Sequence, residues 1–221
     1  MNAILALSAR HLDIINKDTA TYATGFRPGP KESIGYYYKT LHYCQEAMQY
    51  DNYKTSLELL SSAVIISSYE MLNGPNTDWE KHLKGVFWIQ RSQLIHGHSG
   101  GLRQAVWWAW LCQDVWASFR EKRKPFTFWR PGRPLADLNP NELAARAVYN
   151  FAHVVGFCAK DEAPKGSDYI AIKSHEADLL SQQLEQWVSY LTLEFYPLPI
   201  VATDAEDNPF PHVWIQPQAF G

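Results

Sequence analysis

The sequence predicts an all-α fold, an irregular array of several helices in one domain spanning residues 1–221. Three observations carry that expectation. Apolar residues recur at spacings of three and four through most of the 221 residues. The breaks between these runs hold Gly and Pro, as at Asn73-Gly74-Pro75 and Pro164–Ser167. No internal repeat of fixed period and no sustained heptad pattern is present, which argues against a solenoid and against a coiled coil.

Composition narrows the function classes. Hydrophobic residues make up 46% and charged residues 19%, so the chain can bury a core. Lys+Arg number 20 against 23 Asp+Glu, a formal charge of −3, which is not the basic excess of a nucleic-acid surface. The three cysteines, Cys44, Cys112 and Cys158, form no CxxC pair and no zinc-ligand spacing, and their odd count argues against a disulfide framework. The start, Met1-Asn2-Ala3-Ile4, has no basic region of a signal peptide. The longest wholly apolar run, Ala105–Cys112, is far short of a membrane span. These features fit an intracellular protein with no membrane partner, no metal and no cofactor. Nine Trp and twelve Tyr either fill gaps between helices or line pockets.

Taken in order, residues 2–17 read as a helix with Ile4, Leu7, His11 or Leu12, and Ile15 on one face. Thr19–Pro30 is a Gly- and Pro-rich loop. Residues 31–50 form a helix carrying Tyr36, Tyr37, Tyr38, Leu41, Cys44 and Met48. Asp51 is the expected N-cap of the next helix, 52–72, with Leu57, Leu60, Val64, Ser67 or Ser68, and Met71 as its core stripe. Asn73-Gly74-Pro75 stops it. Thr77 or Asp78 caps a helix to about Ile95, with Trp79, His82, Leu83, Val86, Ile89 and Gln90 in helical spacing. Gly85 in that helix would allow a close neighbour.

His96-Gly97-His98-Ser99-Gly100-Gly101 follows. A His-x-His pair can bind metal, but no carboxylate lies close in sequence, and the stretch reads as a loop. The central helix, from about Leu102 to Phe119, repeats Leu102, Val106, Ala109, Cys112, Trp116 and Phe119 on one face. Asp114 sits among these bulky residues. It is either a buried acidic group that switches or donates a proton, or a carboxylate paired at the edge of the core. Arg120, Lys122, Arg123 and Lys124 end the helix as a solvated basic cluster or as an import or phosphate contact.

Pro125–Pro140 is a proline-punctuated connection packed onto the core through its aromatics. Asn139-Pro140-Asn141-Glu142 begins a helix over 140–160, with Leu143, Ala147, Phe151, Val154, Val155 and Cys158 inward and His153 near that face. Residues 168–191 form the last clear helix, with Leu180, Leu184, Trp187, Val188 and Leu191 as its stripe. Beyond Leu193 the prolines exclude a regular element.

Several of these stretches together resemble the fungal-specific transcription factor domain, the all-helical regulatory region found downstream of a binuclear zinc cluster. They are Ala6–Leu12, the tyrosine run at 36–38, Tyr69-Glu70, and the set Trp79, His82, Leu83, Gly85 and Asp114. Trp129, Pro134 and Leu135 complete them. Two departures stand out. The family's six-cysteine cluster is absent, and Cys112 stands where the pattern has an arginine two residues before the aspartate, so that position cannot offer a charge to a neighbouring carboxylate. Family members have further segments before Ala6 and after the last helix, so the chain reads as truncated at both ends.

The resemblance implies a transcription-regulatory helical domain, nuclear or cytoplasmic, without its own DNA-binding module and without direct nucleic-acid contact. It would act through a protein partner, a second copy, or a small apolar ligand; the abundance of aromatics, and not the resemblance, suggests Trp79, Trp107, Trp108, Trp116 and Trp129, with His82, as the residues lining such a pocket. A different class of function is a standalone helical enzyme of fungal secondary metabolism, performing a cyclisation or rearrangement with Asp114 and His82 as its catalytic groups.

Overall fold

The computed structural model describes residues 1–18, 30–53, 55–73, 78–159 and 167–196. The loop expected over 19–29, Gly74 and Pro75 of the expected stop, Thr77 as a cap, the break at Pro164 and the proline-rich stretch past Tyr196 lie outside those residues. The described chain is all-α. It comprises α1 (Asn2–Asp18), α2 (Pro30–Ala47), α3 (Leu57–Leu72), α4 (Asp78–Ser92), α5 (Gly101–Glu121), α6 (Pro140–Cys158) and α7 (Ser167–Ser189). No strand occurs among the described residues. The chain divides into two compact units, Met1–Asp114 and Val115–Gly221, with the division inside α5.

In the first unit, α1 packs on α2 and α3. The residues it buries are Ala3, Ala6 and Ala9, whereas the expected stripe residues Ile4, Leu12 and Ile15 stay exposed. Small side chains let helix axes come close, and α2 answers with buried Ser33 and Thr40. Close approach thus outweighs the larger apolar stripe that periodicity favours. Arg10 ties the far end: its Nη1 donates to Asp13 Oδ2 at 2.9 Å and its Nη2 donates to the Leu72 carbonyl at 3.2 Å. That guanidinium satisfies an orphan carbonyl at the C-terminus of α3.

The N-cap of α3 is Ser56, whose Oγ accepts from the Leu59 N–H at 3.0 Å. Asp51 instead opens a short 3-10 turn, Asp51–Tyr53. The helix starts five residues later than expected because the serine hydroxyl can reach an unpaired N–H. α3 packs on α1, α2 and α4. It buries Leu60, Val64 and Ser67 as expected, and also Ile66, Tyr69 and Glu70. A helix with neighbours on several sides buries more than one stripe.

α4 buries Trp79, Leu83, Val86 and Gln90, all of them expected, together with Phe87. It ends in a Schellman-type turn, with Leu94 at φ 54° and the Ile95 N–H donating to the Gln90 carbonyl at 2.9 Å. Gly85 is exposed, and a Cβ there would meet nothing within 4 Å, so it permits no close helix contact.

The largest correction concerns α5. Its buried side chains are Val106, Trp107, Trp110, Leu111, Asp114, Val115, Ala117 and Ser118. Of the expected face only Val106 is buried; Leu102, Ala109, Cys112, Trp116 and Phe119 are exposed. Apolar residues occur on both sides of this helix, so periodicity alone does not choose between the faces.

In the second unit, α6 starts with a capping box. Asn139 Oδ1 accepts from the Glu142 N–H and Glu142 Oε2 accepts from the Asn139 N–H, both at 3.0 Å, with Pro140 at the first position. Leu143 and Val155 are buried as expected, Phe151 and Cys158 are exposed, and Ala144, Tyr149, Asn150 and Ala152 complete the inner face. α7 runs antiparallel to α6. Trp187 Nε1 donates to the Leu143 carbonyl at 2.9 Å at one end, and Lys173 Nζ lies 4.7 Å from the Phe157 ring centroid at the other. None of its described side chains is fully buried; Leu180 and Trp187 are half-buried, Leu184 and Val188 are exposed, and Leu191, expected in the stripe, lies half-buried past the end of the helix.

The basic cluster is partly structural. Arg123 Nη1 donates to the buried Ser118 Oγ at 2.6 Å, its Nε pairs with Glu121 Oε2 at 2.6 Å, and its guanidinium lies 4.4 Å from the Phe126 ring centroid. Arg123 therefore closes the end of α5 rather than standing in solvent.

Candidate functional site

Three helices of the first unit meet at one carboxylate. Tyr37 on α2 donates its hydroxyl to Glu70 Oε1 at 2.7 Å, and Glu70 Oε2 on α3 lies 2.8 Å from His82 Nδ1 on α4. Glu70 is only 5% exposed. The Tyr37 ring stacks on Tyr69 with centroids 4.8 Å apart. Loss of water and then the adjacent Glu70 push the Tyr37 phenol well above its ordinary pKa, so it stays protonated and keeps donating. His82 retains partial exposure, 36% of its side chain. A carboxylate at Nδ1 places the proton there and orients the ring, leaving Nε2 as the acceptor of the neutral imidazole. The arrangement can hold a charge in the core, and it can orient a histidine.

A second polar clamp joins α5 to α3. The Gln113 amide donates to the Val64 carbonyl at 3.1 Å and contacts Ser68 Oγ at 2.6 Å, and its Oε1 accepts from Ser67 Oγ. The signal for it in the sequence is the Ser67-Ser68 pair on the expected core stripe of α3, since buried hydroxyls require partners. Asp114, the next residue, is fully buried. It lies on the inner face of α5 and not at the edge of the core.

The tryptophans divide by unit. Trp79 and Trp107 are buried, and Trp107 meets Trp108 edge-to-face with centroids 4.8 Å apart. Trp108 Nε1 donates to the Gly97 carbonyl at 3.3 Å. Trp110, which the sequence did not single out, is fully buried, donates Nε1 to the Leu83 carbonyl at 3.0 Å and stacks with Phe87. Trp116 is 62% exposed and lies edge-on to Phe119, while Trp129 lies edge-on to Tyr149. Of the residues expected to bind a ligand, Trp79, His82, Trp107 and Trp108 therefore belong to the first unit, and Trp116 and Trp129 to the second.

Gln90 is fully buried, and neither its Oε1 nor its Nε2 has a hydrogen-bond partner among the described residues. An unsatisfied buried amide costs roughly 1–3 kcal/mol. Gln90→Met keeps the shape and removes the polar atoms, so the variant is expected to gain stability of that order. A urea midpoint equal to or below that of the parent protein would contradict this.

The histidine pair in the turn before α5 serves the backbone. His96 Nδ1 accepts from the His98 N–H at 3.1 Å, and the His96 N–H donates to Ser99 Oγ at 2.8 Å. Among the described residues no group of three or more His, Cys, Asp or Glu could hold a metal ion. No helix among them is long and apolar enough to cross a membrane.

Each unit has grooves of its own. The first unit has an apolar groove of about 500 Å³ walled by Leu7, His11, Met71, Leu72 and Gln113. The second unit has one of about 680 Å³ along α6 and α7. Neither is walled by His82 or by any of the expected tryptophans.

No curated protein and no solved structure matches the chain. One family model does match it, and the matched stretch covers α1 to α4 and the first turn of α5. Tyr37, Glu70, Trp79 and His82 fall inside that stretch, and Asp114 and Trp129 lie beyond it. Over residues 1–106 this chain matches the fungal specific transcription factor domain.

Proposed function

We propose that this chain is a transcription-regulatory helical domain that works in the nucleus through a protein partner or a small apolar ligand. The family match over residues 1–106 is the observation that carries this reading and supports a transcription-regulatory role. The three cysteines of this sequence cannot supply a six-cysteine zinc cluster, so in this reading DNA contact comes from elsewhere. Exposed apolar side chains on α1, among them Ile4, Leu5, Leu12 and Ile15, support an interaction surface in the first unit. Among the expected ligand residues, His82 and Trp108 are the partly exposed members of that unit and are the ones proposed to meet the partner or ligand.

The test is a fusion of the whole chain to a heterologous DNA-binding domain above a reporter gene in a fungal host. A change in reporter output, relative to the DNA-binding domain alone, is expected. Unchanged output from a fusion shown to be expressed and nuclear would remove the reading.

A further inference from the structure

We propose that the outer face of α5 pairs with the same face of a second copy of this chain, the two helices running antiparallel about a two-fold axis. Leu102, Ala105, Ala109, Cys112, Trp116 and Phe119 are all exposed, and they recur at alternating spacings of three and four. That alternation averages about 3.5 residues and draws one apolar seam along a helix, the pattern by which two helices pack side by side. All six lie on the single helix Gly101–Glu121, so helix geometry alone sets their relative placement. The chain's own core does not use the seam, because Trp107, Trp110, Leu111, Asp114 and Val115 are the buried side of α5. Phe119 meets Phe151 of α6 with centroids 6.3 Å apart and is still 56% exposed, while Leu102 is 49% and Trp116 62% exposed.

The order of side chains along the seam selects a second copy as the occupant. The seam is bulky at one end, with Trp116 and Phe119, and small through its middle, with Ala105, Ala109 and Cys112. Turned end for end, a second copy sets its Trp116 against Ala105, its Phe119 against Leu102 and its Cys112 against Ala109. Large side chains then meet smaller ones on both sides of the crossing. Small ones meet at its centre, where the axes can approach to about 8 Å. Both halves of the contact are the same residues, as a two-fold pairing requires. A parallel pairing sets Trp116 against Trp116 and alanine against alanine, which crowds the indoles and leaves voids between the alanines. No charged side chain lies on the seam, and Arg103 and Arg120, at its two ends, are exposed.

The area available fits a weak dimer. The six side chains offer roughly 500 Å² on each copy, about 1,000 Å² for the pair, at the lower limit of specific interfaces. The Kd is therefore expected at about 10–100 µM. At about 1 µM the chain is then monomeric, and the seam adds nothing to folding stability there. This inference rests on α5 and not on the regulatory reading, which rests on the family match; the reporter experiment and the one below can fail separately.

The test is sedimentation velocity on the intact chain from about 1 µM to about 500 µM. The mass is expected to rise from one chain towards two and no further. Ala109→Leu adds apolar surface at the centre of the seam. It is expected to weaken the dimer about tenfold because it holds the axes apart, whereas unspecific apolar association would tighten. Trp116→Ala is expected to weaken the dimer about tenfold as well. The double variant Ala105→Trp, Trp116→Ala should return to within about threefold of the parental Kd, because each antiparallel contact again has one large and one small side chain. All three positions are exposed, and the far-ultraviolet circular dichroism spectrum checks the fold of each variant. The proposal is overturned by a chain that stays monomeric over the range or assembles beyond the dimer, by parental or tighter association in either single variant, or by a double variant no tighter than Trp116→Ala.

Discussion

Trp110→Ala is expected to lower the stability of the protein by about 3–5 kcal/mol, the usual cost of deleting a buried tryptophan. Trp110 is fully buried, and its indole N–H holds the Leu83 carbonyl, so the variant loses packing and a hydrogen bond together. Trp116→Ala, six residues along the same helix, is expected to stay within about 0.5 kcal/mol of the parent protein. Trp116 is 62% exposed, so most of its ring already faces water. The pair discriminates between the two faces of α5. Chemical denaturation of both variants measures it. Similar losses at the two positions, or a larger loss at Trp116, would mean that α5 is rotated from the orientation described.

The second large effect belongs to Glu70. Glu70→Ala removes the one group shared by Tyr37 and His82 and is expected to cost about 3 kcal/mol, in the range for breaking a buried charged pair. Its carboxylate is 5% exposed, so the alanine variant leaves a small cavity and two donors without their acceptor. Glu70→Gln keeps the shape but replaces one acceptor oxygen by an NH₂ group. It cannot accept from both neighbours, and an intermediate loss is expected. His82→Ala should cost less than Glu70→Ala, because His82 is more exposed. A double-mutant cycle on Glu70 and His82 should return a coupling of roughly 0.5–3 kcal/mol. Strict additivity would show that the 2.8 Å contact does not contribute to folding.

These two sites behave differently toward sequence reading. His82 was visible as a candidate because it follows Trp79 in a recognisable pattern, and the family match covers both residues. Its partners were not visible. Tyr37 and Glu70 are 33 residues apart and Glu70 and His82 are 12 apart, distances that no local pattern connects. Glu70 read as part of a motif, and only the crossing of α2, α3 and α4 makes it the centre of a polar cluster. Gln113 is a similar case: polar, next to a more conspicuous aspartate, and partnered across 45 residues by Ser68.

The helices themselves were legible. α1, α2, α4, α5, α6 and α7 begin and end within a few residues of their expected bounds, since helical spacing, caps and Pro or Gly breaks are properties of neighbouring residues. Asn139-Pro140-Asn141-Glu142 shows this best, because a capping box is complete within four residues. α3 starts after Ser56 and not after Asp51, because Asp51 opens a 3-10 turn and the Ser56 hydroxyl caps the helix, a choice that residue type alone does not make.

What the sequence by itself determined, then, is the helical class, the positions of the helices and the family pattern in the first part of the chain. Each depends on local spacing or on contiguous motifs. What only the tertiary structure decided is which face of a helix turns inward. α1 buries alanines and leaves its isoleucines out, and α5 buries Trp107 and Trp110 and leaves Trp116 out. Burial is a property of two surfaces at once. A helix that offers two apolar faces, or a small-residue face beside a larger one, is settled by the shape of the neighbour it meets.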